Sequence, residues 1–459
     1  MRRKLIQSAA NYTGVNSCAL AVKSATFAAV LAASLAPGLA QDSVPARKPA
    51  AVPGMLTIPP SSQVNAEDRG KRAHTNVRFI MPATAGPLEA PPYSGYAYET
   101  PASLACIYRV VTPINGCNPN ATTSMPHGGS HTIAIVDAYD DPSAASDLAY
   151  FSDQFGVPFS PEKFKVVYAA GFQPSEDPTG GWELEEAVDI EYSHAMAPHA
   201  MLYLVEANSN SFTDLFTAVE VATNLVQCGQ TLGCPNTATG KGEVSISWGG
   251  SEFPQETEFD PILTGNNVVY VAATGDSSGV LYPSASPNVV AAGGTTTARS
   301  LISGNLIEEI SWSDAGGGQS FYEPIPRYQF GIESFVGPTR ATPDVSADSN
   351  PDTGVWVYNS FPYLGTNSPS NWLIVGGTSV AAPTITGILN AAATLSGKFA
   401  FSTKAELTAI YSDLAVPASY AADFNDIVYG GCNYYSGSFA RHGFDFCTGV
   451  GSPRGLAGK

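Results

Sequence analysis

The chain has 459 residues, of which 44% are hydrophobic and 14% charged, and its 40 acidic side chains outnumber 22 basic ones to give a net charge of −18 at pH 7. One large enzyme domain with additional N-terminal material accounts for this length. The negative charge excludes nucleic acid and anionic membranes as expected partners, because both would repel the protein. Because the chain has few basic groups, it gains little net positive charge when the pH falls, which is compatible with an acidic medium.

The first 40 residues predict a secretion signal. Basic residues Arg2 to Lys4 precede an apolar stretch, Ala25 to Leu35, and small residues lead to a predicted cleavage site after Ala40. A single membrane anchor is the alternative, but no other apolar stretch reaches the roughly 20 residues that span a bilayer. We therefore expect a secreted protein, extracellular or periplasmic, without stable membrane association.

Residues 41–92 are rich in Pro, Ala and Ser and have no sustained apolar periodicity, which predicts a short pro-segment or linker. Over residues 93–459, short apolar runs alternate with helix-length patterns, which predicts an α/β domain with a mainly parallel central sheet and helices on both faces. Predicted strands cover Thr132–Val136, Lys165–Tyr168, Ala200–Val205, Glu243–Ser247, Val268–Ala272 and Val289–Ala291, and predicted helices cover Ala144–Phe155, Leu184–Ala195, Phe212–Val226 and Ser379–Leu395.

Six cysteines remain once Cys18 leaves with the signal, and an even number fits an oxidising compartment. Their grouping predicts three local disulfides, although fifteen connectivities are formally possible. The predicted bridges are Cys106–Cys117, Cys228–Cys234 and Cys432–Cys447. A zinc site is the alternative, but paired CxxC motifs and neighbouring histidines are missing from the pattern.

Two carboxylates stand out in the second predicted helix, where Glu185 and Asp189 are four residues apart and share one face. If they are held close together and partly buried, they share a proton, and one of them can act as a general base in acid. A solvated acidic face is the alternative reading, because five acids lie within Trp182–Glu191.

A candidate nucleophile, Ser379, follows Gly376, Gly377 and Thr378 at the predicted start of an apolar helix. Glycines allow close approach of a substrate, and a helix N-terminus offers N–H groups to a developing oxyanion. A plain N-cap is the alternative. A serine hydroxyl needs a base, and none of the six histidines lies in a His-Gly-Thr-His setting.

Taken together, these segments resemble the sedolisin family of serine-carboxyl peptidases, which have a subtilisin-like fold. The resemblance rests on Gly376–Ser379 followed by Pro383, and on Glu185 with Asp189 in a Glu-x-x-x-Asp helix. Two further segments, Ser245–Gly249 and Val271–Ser277, resemble the family's cleft strand and its oxyanion-hole segment. The four motifs occur in the family's order over roughly residues 93 to 455.

The resemblance implies an endopeptidase that hydrolyses proteins or peptides at acidic pH through an acyl-enzyme. Ser379 would be the nucleophile, Glu185 would take and return the proton, and Asp189 would orient Glu185. Asp276 would bind the oxyanion, which requires its carboxyl to be protonated. We expect a monomer. An exopeptidase remains an alternative. Members of the family often have a long folded pro-domain, whereas only about 50 residues separate Ala40 from the predicted peptidase domain here.

The C-terminal part also resembles the family's calcium loop. The resemblance implies one structural Ca²⁺ held by the Asp426 and Asp445 side chains and by the carbonyls of Ile427, Arg441 and Gly443. Arg441 departs from the pattern, because the family often has glycine there.

Two other functions stay open at this stage. A conventional subtilisin-type triad would use Asp137, His194 and Ser379, although His194 lies only five residues beyond Asp189 on the same predicted helix. A secreted binding protein on a peptidase scaffold is the second alternative, because a fold does not establish a function.

Overall fold

A computed structural model describes residues 54–82, 90–92, 97–235, 237–362, 371–397, 399–432 and 438–456. The predicted signal, residues 1–40, lies outside these ranges, and so does the beginning of the predicted pro-segment. Within the described ranges, no helix is long and apolar enough to cross a membrane.

The helices, in chain order, are α1 (Pro101–Ile107), α2 (Ala144–Phe155), α3 (Gly181–Met196), α4 (Phe212–Cys228), α5 (Glu333–Val336), α6 (Thr378–Ser396), α7 (Thr403–Leu414) and α8 (Pro417–Asp423). The strands are β1 (Leu56–Thr57), β2 (His74–Thr75), β3 (Arg78–Ile80), β4 (Thr132–Ala138), β5 (Phe164–Tyr168), β6 (Met201–Ala207), β7 (Gly242–Ile246), β8 (Trp248–Ser251), β9 (Val268–Ala273), β10 (Leu281–Tyr282), β11 (Val290–Arg299), β12 (Leu306–Ser311), β13 (Gly318–Pro324), β14 (Thr339–Thr342), β15 (Val345–Asp348), β16 (Val355–Tyr358), β17 (Trp372–Gly376), β18 (Phe424–Asn425), β19 (Gly431–Cys432), β20 (Ser438–Phe439) and β21 (Ser452–Pro453). Each predicted strand and helix is present, and the ends differ by at most three residues except in β11, which the sequence predicted to end at Ala291 and which continues to Arg299.

The main sheet has eight strands in the order β12-β11-β9-β7-β4-β6-β5, with β15 also paired to β11. All pairs are parallel except β11 with β12. Along β9, Val269 and Val271 pack in the same cluster as α3 and α6, whereas Tyr270 and Ala272 pack in the cluster that contains α4. Because side chains alternate along a strand, helices cover both faces, as the sequence predicted.

The three predicted disulfides are present, joining Cys106 to Cys117, Cys228 to Cys234 and Cys432 to Cys447. All six cysteines outside the predicted signal are therefore paired. The alternative zinc site built from these cysteines is excluded, since a cysteine binds zinc only as a free thiolate.

Residues 54–82, for which the sequence predicted no regular structure, contribute three short strands to the fold. β3 pairs with β1 and β17, and β2 pairs with β8, all antiparallel. The segment was missed because strands of two or three residues are too short to show apolar alternation. The boundary at residue 93 and the removal of this segment remain predictions.

Candidate active site

Ser379 lies at the second residue of α6, directly after the chain leaves β17 through Gly377. Gly377 has a φ of +116°, a conformation that side chains disfavour. A Cβ there would lie 2.0 Å from the carbonyl oxygen of Asn76 and 2.6 Å from Oδ2 of Asp276. The glycine therefore lets a carbonyl group reach the first turn of α6, where backbone N–H groups have no partner inside the helix.

The Ser379 side chain is buried, and its Oγ donates to the carbonyl oxygen of Ser247 at 3.1 Å. The Ser379 backbone N–H donates to the carbonyl oxygen of Asn76 at 3.2 Å. The hydroxyl and the N–H group thus lie on the same cleft, one able to attack a carbonyl carbon and the other able to stabilise the resulting oxyanion.

Glu185 and Asp189 are buried on α3, which packs against α6. Oδ1 of Asp189 accepts a hydrogen bond from the Ser247 hydroxyl at 2.8 Å. Neither oxygen of Glu185 has a partner at ordinary hydrogen-bond geometry among the described residues. Burial first, and then the charge of Asp189, raise the pKa of Glu185, while the nearby Ser379 hydroxyl lowers it by a smaller amount. The pair can therefore hold one shared proton next to the nucleophile.

Ser247 connects these groups at the point where the chain passes from β7 to β8. Its hydroxyl contacts Asp189, and its carbonyl accepts from the Ser379 hydroxyl. Sequence reasoning treated Ser245–Gly249 as one segment and did not single out Ser247. The two roles of this residue arise because the chain leaves the main sheet there and joins the three-stranded sheet β10-β8-β2.

Asp276 follows β9 and faces the N-terminus of α6. Its Oδ1 accepts from the Thr378 backbone N–H at 2.8 Å and from the Thr378 hydroxyl at 3.0 Å, and its Oδ2 lies toward Gly377. Burial raises the pKa of Asp276 to about 7, against the opposing effects of Arg78 and Thr378. The carboxyl is therefore protonated in acid and can donate from the position that an oxyanion would face.

Arg78 was not predicted from the sequence as a site residue. Its guanidinium donates to the backbone carbonyl of Asp276 and to the side chain of Asp314, and its Nε lies 3.9 Å from Oδ2 of Asp276. No motif marked Arg78, because its place beside the site depends on the pairing of β3 with β17.

Asp137 ends the apolar run of β4 and is fully buried, with no hydrogen-bond partner among the described residues. Burial first, then Asp189, Glu185 and Glu206, raise its pKa. Sequence reasoning placed Asp137 only in the alternative triad. The structure places it instead beside the carboxyl pair, so the buried acidic group extends from Glu185 through Asp189 to Asp137.

His194, the base of the alternative triad, is not brought to Ser379. Its ring packs edge-on against Phe159 at 5.6 Å between centroids. At roughly 100° per residue, it lies about 140° around α3 from Asp189. Burial, and then His199, lower its pKa to about 4. A neutral histidine on a different face of the helix is not placed to accept the Ser379 proton.

The predicted calcium ligands lie together in the C-terminal part of the chain. Oδ1 of Asp426 accepts from the Gly443 N–H at 3.1 Å, and Oδ2 of Asp445 accepts from the Arg441 N–H at 3.1 Å. No described residue donates to the carbonyl oxygens of Ile427, Arg441 and Gly443. Carboxylate and carbonyl oxygens are the donor types that Ca²⁺ prefers, so the residue types present fit this ion. Oδ2 of Asp426 also lies 3.0 Å from Nδ1 of His442.

Carbonyl oxygens are needed for such a site, because no three His, Cys, Asp or Glu side chains form a metal-binding group in the described ranges. Arg441, which stands where the family often has glycine, does not adopt a positive φ. Its guanidinium lies over the Phe335 ring, 4.3 Å from the centroid. The backbone here thus accommodates an arginine.

Comparisons with known proteins show the family of this chain. The profile of the subtilase family matches residues 169–437. The chain is 28% identical over 372 residues to kumamolisin of Bacillus sp. (strain MN-32), covering 72% of this chain and 59% of that protein. It is 24% identical over 356 residues to sedolisin of Pseudomonas sp. (strain 101), covering 72% and 57%. The chain thus spans less than two thirds of the length of these relatives.

Among solved structures, Pseudomonas sedolisin, described as a serine-carboxyl proteinase complexed with two molecules of pseudo-iodotyrostatin, superposes with a TM-score of 0.60. The match has 22% sequence identity and covers 78% of this chain and 95% of that one. The likeness confirms the subtilisin-like α/β fold predicted from the sequence.

Proposed function

The chain belongs to the subtilase family and is a sedolisin-type member of it, and from this membership and the site geometry we propose that it is a serine-carboxyl endopeptidase acting on proteins or peptides at acidic pH. One observation carries the proposal. Asp189, the partner of Glu185 in the buried pair, accepts from the Ser247 hydroxyl, and the Ser247 carbonyl accepts from the Ser379 hydroxyl, whereas His194 packs elsewhere. A carboxyl pair is the base available to this serine.

In the proposed reaction, the Ser379 hydroxyl turns from the Ser247 carbonyl toward Glu185, which accepts its proton as Oγ attacks the peptide carbonyl. Asp189 holds the remaining proton of the pair. The Ser379 N–H and protonated Asp276 stabilise the oxyanion. Glu185 then protonates the departing amine. In the second half, water attacks the ester as Glu185 takes one of its protons, and Glu185 returns that proton to the Ser379 oxygen as the carbon–Oγ bond breaks.

We expect an acidic working range, because the mechanism requires Glu185 to be ionised while Asp276, whose pKa burial raises to about 7, still carries its proton. Activity therefore rises as pH passes the apparent pKa of the pair and falls as pH approaches that of Asp276. A bell-shaped profile with its falling limb near neutral pH is expected.

The test is hydrolysis of an unfolded protein from pH 3 to 8 by wild type and by Ser379→Ala, Glu185→Gln and Glu186→Gln variants of verified fold. Glu186 is the matched control, because it is an equally buried glutamate one position along α3. We expect activity to be lost in the first two variants and kept in the third. Activity that survives Glu185→Gln but is lost in His194→Ala would restore the histidine triad, and a folded, processed wild type without cleavage at any pH would favour the binding-protein alternative.

We also propose one structural Ca²⁺, held by the Asp426 and Asp445 carboxylates and the carbonyls of Ile427, Arg441 and Gly443. When bound, the ion would supply positive charge to its carboxylate ligands and would link the chain segments that carry them. It would tie the segment after α8 to the loop that carries Asp445, away from the reacting atoms.

Secretion as a monomer, after removal of residues 1–40 as a signal, completes the proposal. The N-terminal pattern and the three disulfides support export to an oxidising compartment. Fractionation of the producing cell would test it, since retention of active protein in the cytoplasm would contradict export.

A further inference from the structure

A single leucine, Leu281, lies between two glycines that flank the reacting groups. Gly249 is on β8, two residues after Ser247, and Gly275 directly precedes Asp276. A Cβ at Gly249 would lie 3.2 Å from Cδ1 of Leu281, and a Cβ at Gly275 would lie 2.5 Å from the same Cδ1 atom. One methyl group of Leu281 therefore occupies the space that the two missing side chains leave between these stretches of backbone.

The strand that carries Leu281, and not the hydrophobic core, holds this side chain in place. β10 pairs antiparallel with β8, with Leu281 opposite Ser251. Its neighbour Tyr282 packs in the cluster that contains α4, and the Tyr282 hydroxyl donates to Oδ1 of Asp260 at 3.1 Å. Leu281 is 7% exposed, yet in the part of the chain that the structure describes it belongs to no hydrophobic cluster. Packing of the core therefore does not account for a leucine at this position.

The backbone that carries Gly275 is fixed from behind by a run of glycines. The Gly316 N–H donates to the Gly275 carbonyl at 2.8 Å, and the Gly317 N–H donates to the Gly279 carbonyl at 2.9 Å. Moving this backbone away from Leu281 would break these hydrogen bonds. The space between Gly249 and Gly275 is therefore bounded by two fixed walls.

The side chain of Asn76 shows how much of this space is open beside Leu281. The Asn76 carbonyl oxygen accepts from the Ser379 N–H at 3.2 Å, so Asn76 lies where the acyl residue of a substrate would. Its side chain is 1% exposed, and Nδ2 donates to the Ser247 carbonyl at 2.8 Å. A Cβ at Gly275, which would nearly touch Leu281, would lie 3.7 Å from Oδ1 of Asn76. A side chain of asparagine size thus extends to the point where Leu281 begins.

This space selects for size and not for an amide group. Oδ1 of Asn76 is buried and has no hydrogen-bond partner among the described residues. A buried amide oxygen without a donor costs free energy. Alanine would bury no polar group there, and a serine hydroxyl can donate to the Ser247 carbonyl. Both residues should therefore be accepted at least as well as asparagine.

We propose that Leu281 limits the size of the substrate side chain on the acyl side of the cleaved bond, so that this protein cuts after glycine, alanine, serine and asparagine and rejects leucine, phenylalanine and tyrosine. The inference rests on the proposed function and names its substrate class. A larger side chain would meet Cδ1 of Leu281. Because Tyr282 anchors β10 and the glycine run fixes the opposite wall, the overlap is not relieved by a small shift.

The first test is digestion of an unfolded protein at acidic pH by the processed wild type, with each new peptide end identified by mass spectrometry. Counts are divided by the abundance of each residue in the substrate. We expect cuts after the four small residues to outnumber cuts after leucine, phenylalanine and tyrosine at least about tenfold. Cuts after phenylalanine as frequent as cuts after alanine would overturn the inference.

The second test uses the Leu281→Ala variant and two peptides, blocked at both ends, that differ only in alanine or phenylalanine on the acyl side. We expect the ratio of kcat/KM for the phenylalanine peptide to that for the alanine peptide to rise at least about tenfold. This ratio does not depend on the amount of folded enzyme. Leu225→Ala is the matched control, because this leucine of α4 is 3% exposed but packs in the core.

An unchanged ratio in Leu281→Ala would overturn the role of Leu281. If that variant does not fold, Leu281→Val makes a smaller change at the same position and should move the ratio in the same direction. The digestion test needs no variant and can overturn the inference by itself.

The outcomes separate this inference from the proposed function. Hydrolysis at acidic pH that is lost in Ser379→Ala but shows no preference for small residues would overturn the inference and leave the peptidase function standing. A folded, processed wild type that cuts neither the unfolded protein nor either peptide would overturn the peptidase function, and the inference with it.

Discussion

The backbone N–H of Ser379 donates to the carbonyl oxygen of Asn76 at 3.2 Å. A peptide carbonyl of the chain thus lies where an oxyanion would form, between this N–H and the Asp276 carboxyl. The contact joins the first turn of α6 to the N-terminal segment of the chain. The predictions below concern the groups that surround this contact.

Asp189→Asn should lower kcat by roughly a hundredfold with little change in KM. Asparagine can still accept the Ser247 hydrogen bond, but it cannot share a proton with Glu185. Because the active form of the pair holds its proton on Asp189, the variant loses the proton sharing that stabilises ionised Glu185, and the rising limb of the pH profile should move to higher pH. Asp153→Asn, at an exposed position on α2, is the control; an unshifted limb in Asp189→Asn would contradict the pairing.

Arg78→Gln should extend activity to higher pH. The guanidinium lowers the pKa of Asp276, which burial raises, with Asp314 and Thr378 also acting on it. Without the cation the pKa rises further, so Asp276 keeps its proton longer as pH increases. The measurement is kcat/KM against pH for a peptide substrate with mature enzyme. Arg327→Gln, at an exposed arginine, should leave the profile unchanged, and an identical falling limb in Arg78→Gln would argue against Asp276 as the donor.

Stability should fall as pH rises from about 4.5 to 8. Burial raises the pKa of Glu183 and Glu243 to about 8 and that of Glu206 to about 9. A raised carboxyl pKa means that the folded state binds the proton more tightly than the unfolded state. Its stabilising contribution is present below the unfolded pKa and is lost as pH rises through the folded pKa. Urea unfolding of Ser379→Ala, which cannot digest itself, measures this trend.

The Glu243→Gln variant measures how one of these buried glutamates contributes to the pH dependence of stability. Glu243 lies on β7 and accepts from Nδ2 of Asn390 at 2.6 Å, a contact that glutamine can keep. At pH 4 the variant should match the parent, and at pH 8 it should be more stable, by at most about 5 kcal/mol. Exposed Glu220→Gln should show no such difference. Equal stabilities of Glu243→Gln and its parent at pH 8 would contradict burial as the cause.

Chelation should lower the melting temperature of the Ser379→Ala protein, and added Ca²⁺ should restore it, because the ion binds only the folded state. In Asp445→Asn the charge of one ligand is lost, so the melting temperature should respond weakly to Ca²⁺. Asp153→Asn serves as the control and should respond like the parent. A melting temperature indifferent to chelator in the parent protein would rule out a stabilising calcium site.

Sequence alone identified the parallel sheet and its helices, because buried strands and amphipathic helices have apolar patterns that are local in the chain. Short motifs also predicted Ser379, Glu185 and Asp189 as site residues, the family resemblance added Asp276, and local grouping of cysteines was enough to predict the disulfides. These features depend on residues close together in sequence.

Only the tertiary structure decided which groups meet. The Asn76 side chain contacts the carbonyl of Ser247, 171 residues away, and β3 reaches β17 near the other end of the chain. Strands of two or three residues carry no periodic signal, and their pairing depends on edges that exist only after the main sheet has formed. For that reason residues 41–92 read as a pro-segment or linker in the sequence, whereas in the fold Asn76 contacts both Ser247 and Ser379.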